Sequence, residues 1–276
     1  TFTRNSIAYK SDGSQVAANQ PRFEQGKFSK AIMFEEGTTS LFPTNLALSF
    51  SSAWTSGTLN GTYTVSIKGG TGSLVLSGGA SGTVNVGSSL TFTVSKATVT
   101  FTPSGGTPAY CQLEQKPYAT SWTDGTRAAD NLTVSTSSII NPLGVWTLEW
   151  IVKTATISNI NHHLGLGAIW GPNQRISFHL RRNVSPYRVA FWSSATGWYE
   201  SSVTVADDSD VYIAFAYDGA GTLRILVNGQ LAGTFSVVIP NANYDSFALG
   251  RGSSSANREI LNQLIDDLRI SSRART

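Results

Sequence analysis

The sequence predicts an all-β protein, and three observations lead there. Only 37 of the 276 residues are charged, 20 Lys and Arg against 17 Asp and Glu. Serine and threonine together number 66, glycine 26, and Phe, Trp and Tyr 29. That composition suits half-buried pleated surfaces, and it is too aromatic and too weakly charged for a disordered chain. Apolar and polar residues also alternate with period two in one short segment after another, with glycine pairs or Asn-Gly between them.

Charge placement then divides the chain. Residues 45–110 hold only Lys68 and Lys96 in 66 positions, while the other 210 residues hold 35 charges. The step predicts a domain at 45–110 set into an outer domain made of residues 1–44 and 111–276. In the charge-poor block, strands are expected at 62–68, 73–77, 83–86, 90–94 and 97–101, interrupted by Gly69-Gly70, Gly78-Gly79 and Gly87. Such spacing reads as a small antiparallel β-sandwich with Ser and Thr rows outward. In the outer domain, residues 145–152 form a strand that puts Trp146, Leu148, Trp150 and Val152 on one buried face. Strands follow at 175–181, 188–192, 210–217 and 222–227. Asn228-Gly229 makes a tight hairpin, because a type I′ turn needs positive φ at both central residues. Residues 231–238 return from it, and the last strand is 264–270. One helical turn is expected, at 258–263.

Several classes are excluded or disfavoured. No apolar run reaches the ~18 residues of a transmembrane helix, and no signal-peptide pattern opens the chain. It begins Thr1-Phe2-Thr3 without methionine, as expected of a piece of a longer polypeptide. The single cysteine, Cys111, allows no internal disulfide or cysteine-cluster metal site and reads as a half-buried strand residue. A net charge of +3 is too small to argue for nucleic acid.

Three phrases carry a family resemblance. Tyr217-Asp218-Gly219, Leu223-Arg224-Ile225-Leu226-Val227-Asn228-Gly229 and Ile265-Asp266-Asp267-Leu268-Arg269-Ile270-Ser271-Ser272-Arg273-Ala274 together resemble the second half of a laminin-G-like, concanavalin A-like jelly roll. Residues 26–34 resemble its opening strand, and Asp130-Asn131-Leu132-Thr133-Val134 the strand after it, so the charge-poor block looks like an insertion into a jelly-roll loop. The order of Glu35-Glu36-Gly37-Thr38-Thr39-Ser40-Leu41, an inserted sandwich, and then residues 112–122 resembles bacteriophage tail and minor virion proteins, whose insert looks like a carbohydrate-binding module. The resemblance implies pairing of the first and last strands of the outer domain.

Catalysis is not expected. Glycosidases of this fold place carboxylates as Glu-x-Asp-x-x-Glu on one strand, whereas the comparable strand here offers Glu149 alone. No Gly-x-Ser-x-Gly, His-Glu-x-x-His or Gly-Lys-Ser motif occurs. Asp207, Asp208 and Asp210 sit in an expected turn, where carboxylates more often cap and solvate strand ends; a cation site is the alternative. His162-His163 can share a metal ion only in a loop, since neighbours on a strand point oppositely; surface histidines are the alternative. In strict alternation Asp266 falls on the core side with Leu264, Leu268 and Ile270. A carboxylate there needs backbone N–H groups, an arginine or a metal, and related jelly rolls hold a structural Ca²⁺ beside the corresponding aspartate. No other cofactor is expected.

Sugar recognition needs flat aromatic faces with planar polar groups beside them. Parity puts Ile176, Phe178, Leu180, Val189 and Phe191 inward, so His179, Arg181, Arg188 and Trp192 share the outer face of two pairing strands, with Trp198 and Tyr199 in the following turn and Trp170 in a nearby loop. This is the expected carbohydrate site unless other parts of the chain or a second copy cover it. Trp54 and Tyr63 are weaker candidates in the insert. The expected role is a non-catalytic virion component, tail or tail-fibre-associated, that binds host-surface polysaccharide and other virion proteins, without nucleic acid and without membrane insertion. The alternative is an extracellular glycan-binding module of a secreted bacterial hydrolase.

Overall fold

A computed structural model describes residues 2–10, 12–27, 30–35, 37–135, 140–154, 162–171, 174–182, 186–250 and 263–274. The chain forms two compact units. One comprises Thr1–Arg4, Asn19–Glu36 and Ala129–Thr276; the other comprises Asn5–Ala18 and Gly37–Ala128. The charge-poor block lies within the second, which also takes in residues 5–18, 37–44 and 111–128.

The first unit is built on two seven-stranded antiparallel sheets. One runs Phe2–Thr3, Asn131–Ser135, Ser246–Leu249, His162–Trp170, Arg175–Arg182, Tyr187–Ser193 and Gly197–Val205. The other runs Gln230–Ser236, Thr222–Val227, Asp210–Tyr217, Trp146–Lys153, Gln263–Ser271, Lys30–Phe34 and Arg22–Gln25. The implied pairing of first and last strands is present, with Ile32 opposite Ile265. The expected hairpin is also there: Asn228 and Gly229 have φ of 51° and 78°.

Period-two alternation decides what this unit buries. Trp146, Leu148, Trp150 and Val152 are at most 1% exposed, and so are Ile176, Phe178, Leu180, Val189 and Phe191. The Phe178 ring links the two sheets, lying 5.8 Å from Trp146, 5.5 Å from Trp150 and 4.9 Å from Phe215. Each such side chain contributes about 1.5–3 kcal/mol by leaving water.

The second unit is a smaller sandwich. A four-stranded sheet (Gly82–Asn85, Ser73–Gly78, Val99–Ser104, Trp54–Thr55) accompanies a three-stranded one (Ser89–Ala97, Leu59–Gly70, Pro108–Glu114). Their shared core includes Val65, Ile67, Leu74, Phe101 and Leu113. Cys111 belongs to that core at 0% exposure rather than being half-buried, and burial pushes its thiol up to about 12. The short helix Thr44–Leu48 has no counterpart in the sequence reading. At five residues it is too brief to show an apolar period. The helical turn expected at 258–263 lies, up to residue 262, outside the described residues.

Candidate functional site

The strands Arg175–Arg182 and Tyr187–Ser193 pair with Ser177 opposite Trp192, His179 opposite Ala190 and Arg181 opposite Arg188. The next strand adds Trp198 opposite Trp192 and Glu200 opposite Ala190. Because these partners share a face and Phe178 fills the core, the second face of the sheet carries Arg175, His179, Arg181, Arg188, Trp192, Trp198 and Glu200.

On that face the groups interlock. The indoles of Trp192 and Trp198 meet at 6.5 Å between centroids. The Arg175 guanidinium lies 4.4 Å from the Trp192 ring centroid, and that of Arg181 lies 4.6 Å from the Trp198 centroid. Both are within cation–π reach. Arg181 Nη1 also donates to Glu200 Oε1, and Arg188 Nη1 donates to the Ser201 carbonyl at 2.7 Å. Both tryptophans, Arg175, Arg181, Arg188 and Glu200 are partly exposed.

Three of the expected residues are placed differently. His179 is on the right face but 0% exposed, with its ring centroid 4.9 Å from that of Trp198 in an edge-to-face contact and Nε2 2.8 Å from Ser177 Oγ. It supports the tryptophan from below and does not meet solvent. Tyr199 is on a strand, not in a turn, and pairs with Phe191. Its ring therefore turns to the other face, 5.5 Å from Phe235. Trp170 ends a strand rather than lying in a loop; it stands opposite Arg175 and so shares the face, half-buried at its end.

Of the weaker candidates, Tyr63 is a core residue and Trp54 is partly exposed at the edge of that core. Tyr63 is 5% exposed, and Trp54 packs 5.3 Å from Phe42 and 6.0 Å from Phe101. Sequence reasoning missed an aromatic trio in the second unit, where Trp122 lies 4.6 Å from Tyr9 and 5.2 Å from Tyr110. It also left Arg175 and Glu200 out of the site, although the same parity places both on the face.

Asp266 is corrected as well. Asp267 adopts φ of 49°, and the pairing with Trp146–Lys153 shifts register between Glu149 and Ile151. Through this bulge Ile265 takes the core position at 3% exposure, and Asp266 is half-buried on the other face. There it lines a pocket of about 200 Å³ with Gln25, Gly26, Lys27, Lys153 and Asp210. A Cβ on Gly26 would stand 2.7 Å from Asp266 Oδ2, so only glycine lets this carboxylate approach the backbone so closely. The carboxylates of Asp210 and Asp266 are hard oxygen donors of the kind Ca²⁺ takes. Lys153 is drawn towards Asp208, at 3.1 Å. Among the described residues no three His, Cys, Asp or Glu groups cluster to hold a metal. The backbone at His162 and His163 is strand, not loop; their side chains lie outside the described residues.

Glu149 is 3% exposed and accepts a hydrogen bond from the Tyr212 hydroxyl. Its nearest strand neighbours at i+2 and i+4 are Ile151 and Lys153, so its strand supplies no second carboxylate for acid–base work.

Residues 124–276 match the family model described as the concanavalin A-like lectin/glucanases superfamily. No curated protein matches the chain. Among solved structures, domain 4 of AbnA, an extracellular arabinanase from Geobacillus stearothermophilus in complex with arabinotriose, is 16% identical. It covers 100% of this chain and 83% of its own, with a TM-score of 0.43. A heptameric SAP-like pentraxin from Limulus polyphemus is 13% identical over 48% of this chain and 65% of its own, with a TM-score of 0.39. A sialidase from Trypanosoma rangeli is 16% identical over 49% of this chain and 21% of its own, with a TM-score of 0.39. The chain thus spans less than two thirds of the pentraxin and of the sialidase.

Proposed function

The chain belongs to the concanavalin A-like lectin/glucanases superfamily, and on that premise we propose that it is a non-catalytic bacteriophage tail component that binds host-surface carbohydrate. The binding face is the one that carries Trp192 and Trp198. One observation carries this reading: two partly exposed indoles stand 6.5 Å apart on adjacent strands, framed by guanidinium groups and a carboxylate. Indole supplies the apolar surface and the charged groups supply planar hydrogen bonds, the combination a pyranose needs. Glu149, without a carboxylate partner on its strand, supports the non-catalytic part. The tail assignment rests on the order of the segments at 35–41 and 112–122 around the charge-poor block, and it implies other virion proteins as partners.

A glycan array probed with the purified chain tests the binding. Trp192→Ala and Trp198→Ala each weaken the captured glycan at least tenfold without lowering the melting temperature by more than a few degrees. Unchanged binding in both variants would remove this face as the site.

A structural Ca²⁺ at Asp266, with Asp210, is part of the same proposal. Chelation with EDTA then lowers Tm by about 5–10 °C, the size expected for losing a ligand present well above its Kd. An unchanged Tm would mean that Lys27 and Lys153 balance the two carboxylates and no ion is held.

A further inference from the structure

The glycan face has a chemical bias that its aromatic residues alone do not convey. A guanidinium lies at cation–π distance from each indole, Arg175 at Trp192 and Arg181 at Trp198. A neutral sugar that stacks on those same ring surfaces must first displace an arginine, which costs about 0.5–2 kcal/mol per contact. A carboxylate that meets the guanidinium of Arg175 leaves that stacking in place. The described strand residues of this face carry three positive charges, Arg175, Arg181 and Arg188, against one negative, Glu200. Glu200 already accepts from Arg181, so the excess is two positive charges on a small area whose ring surfaces are partly taken. Guanidinium N–H groups form a planar fork that matches a carboxylate bidentately. The fork also distinguishes this arrangement from a diffuse basic patch, which lysines would serve equally.

We propose that the ligand of this face is an acidic polysaccharide, and that its sugar carboxylates are received by Arg175, beside the Arg181–Glu200 pair, while Trp192 and Trp198 border the sugar rings. The inference rests on the glycan-binding reading and adds the substrate class to it.

The test uses the full chain and three carboxylated polymers: polygalacturonate, hyaluronan and polysialic acid. Each is titrated beside its carboxyl-reduced form, in 50 and 500 mM NaCl. At least one carboxylated polymer binds, its reduced form binds at least tenfold more weakly, and the higher salt weakens binding as the screening length shortens. Arg175→Gln reproduces the loss. Arg175→Lys, which keeps the charge and removes the fork, recovers only a small part of it. Lys68→Gln, which removes an exposed charge in the other unit, has no effect. Binding that survives carboxyl reduction, or Arg175→Gln within twofold, overturns the acidic class and leaves glycan binding in place. So does capture of neutral glycans on the array with no carboxylated polymer bound. Absence of any glycan bound, acidic or neutral, overturns both readings together.

Discussion

Asp130→Ala lowers the stability of the first unit by about 3–5 kcal/mol, a loss typical of breaking a buried ion pair by removing one partner. The Asp130 carboxylate accepts from Arg4 Nη1 at 3.0 Å through Oδ1 and from the Glu35 backbone N–H at 3.0 Å through Oδ2. The side chains of Arg4 and Asp130 are 0% and 2% exposed. The Arg4 backbone exchanges hydrogen bonds with Asn19, whose side chain accepts from Arg4 N at 3.1 Å and whose N–H donates to the Arg4 carbonyl at 2.9 Å. Beside them Arg22 Nη2 meets Glu35 Oε2 at 2.7 Å. Residues 4, 19, 36 and 129 are where the chain leaves and re-enters this unit, so the network ties together segments far apart in sequence. Alanine deprives a buried guanidinium of its carboxylate at that junction. The double variant Arg4→Met, Asp130→Leu removes both charges and recovers most of the loss, because apolar replacement of a buried pair is often neutral. Urea melts of the two variants beside the unaltered chain measure both effects. A loss under about 1 kcal/mol in Asp130→Ala would mean that water reaches the pair.

What the sequence shows well and what it hides have one cause. Alternation assigns a face to every residue of an unbroken strand, so the inward Trp146, Trp150 and Phe178 and the outward Arg181, Arg188 and Trp192 are all legible. A bulge shifts the count by one with no compositional sign. Asp267, at φ of 49°, turns the expected core residue Asp266 outward and Ile265 inward. Tyr110, at φ of 51° between the paired residues Ala109 and Cys111, breaks the pairing locally in the second unit without shifting the register, and its ring stands beside Trp122 at 47% exposure. Strand ends are equally hard to place, which put Trp170 in a loop and Tyr199 in a turn. His179 shows a further limit: parity says which way a side chain points, and says nothing of what lies over it. Burial beneath Trp198 follows from the size of a neighbour two strands away in the sheet. The second unit adds one more case. Residues 5–18, 37–44 and 111–128 carry ordinary charge and pack with a block chosen for its lack of charge. Glu114 is the clearest example, 1% exposed and accepting from Thr38 Oγ1, Gln112 Nε2, Thr120 Oγ1 and the Thr120 N–H.

Phe178→Ala costs the first unit about 3–5 kcal/mol, the usual range for emptying a buried phenylalanine site. Its ring stands among Trp146, Trp150, Phe191 and Phe215, all within 5.8 Å between centroids. These four rings come from strands of both sheets, and none can close over the void without leaving another contact. Phe178→Leu keeps most of the volume and costs under about 1.5 kcal/mol. The adjacent residue makes the comparison informative. His179 follows Phe178 directly and faces the opposite way, into the group of Trp198 and Ser177. If the strand holds its pleat on the remaining core contacts of Ile176 and Leu180, Phe178→Ala lowers Tm strongly and leaves glycan binding, measured well below that Tm, unchanged. Trp198→Ala does the reverse, abolishing binding at small cost in stability. Tm and glycan affinity measured on both variants give a crossed pattern only if core and binding face are separated by the alternation of a single strand. Parallel losses of stability and binding in either variant would show that the face is held by the core's volume and not by the pleat.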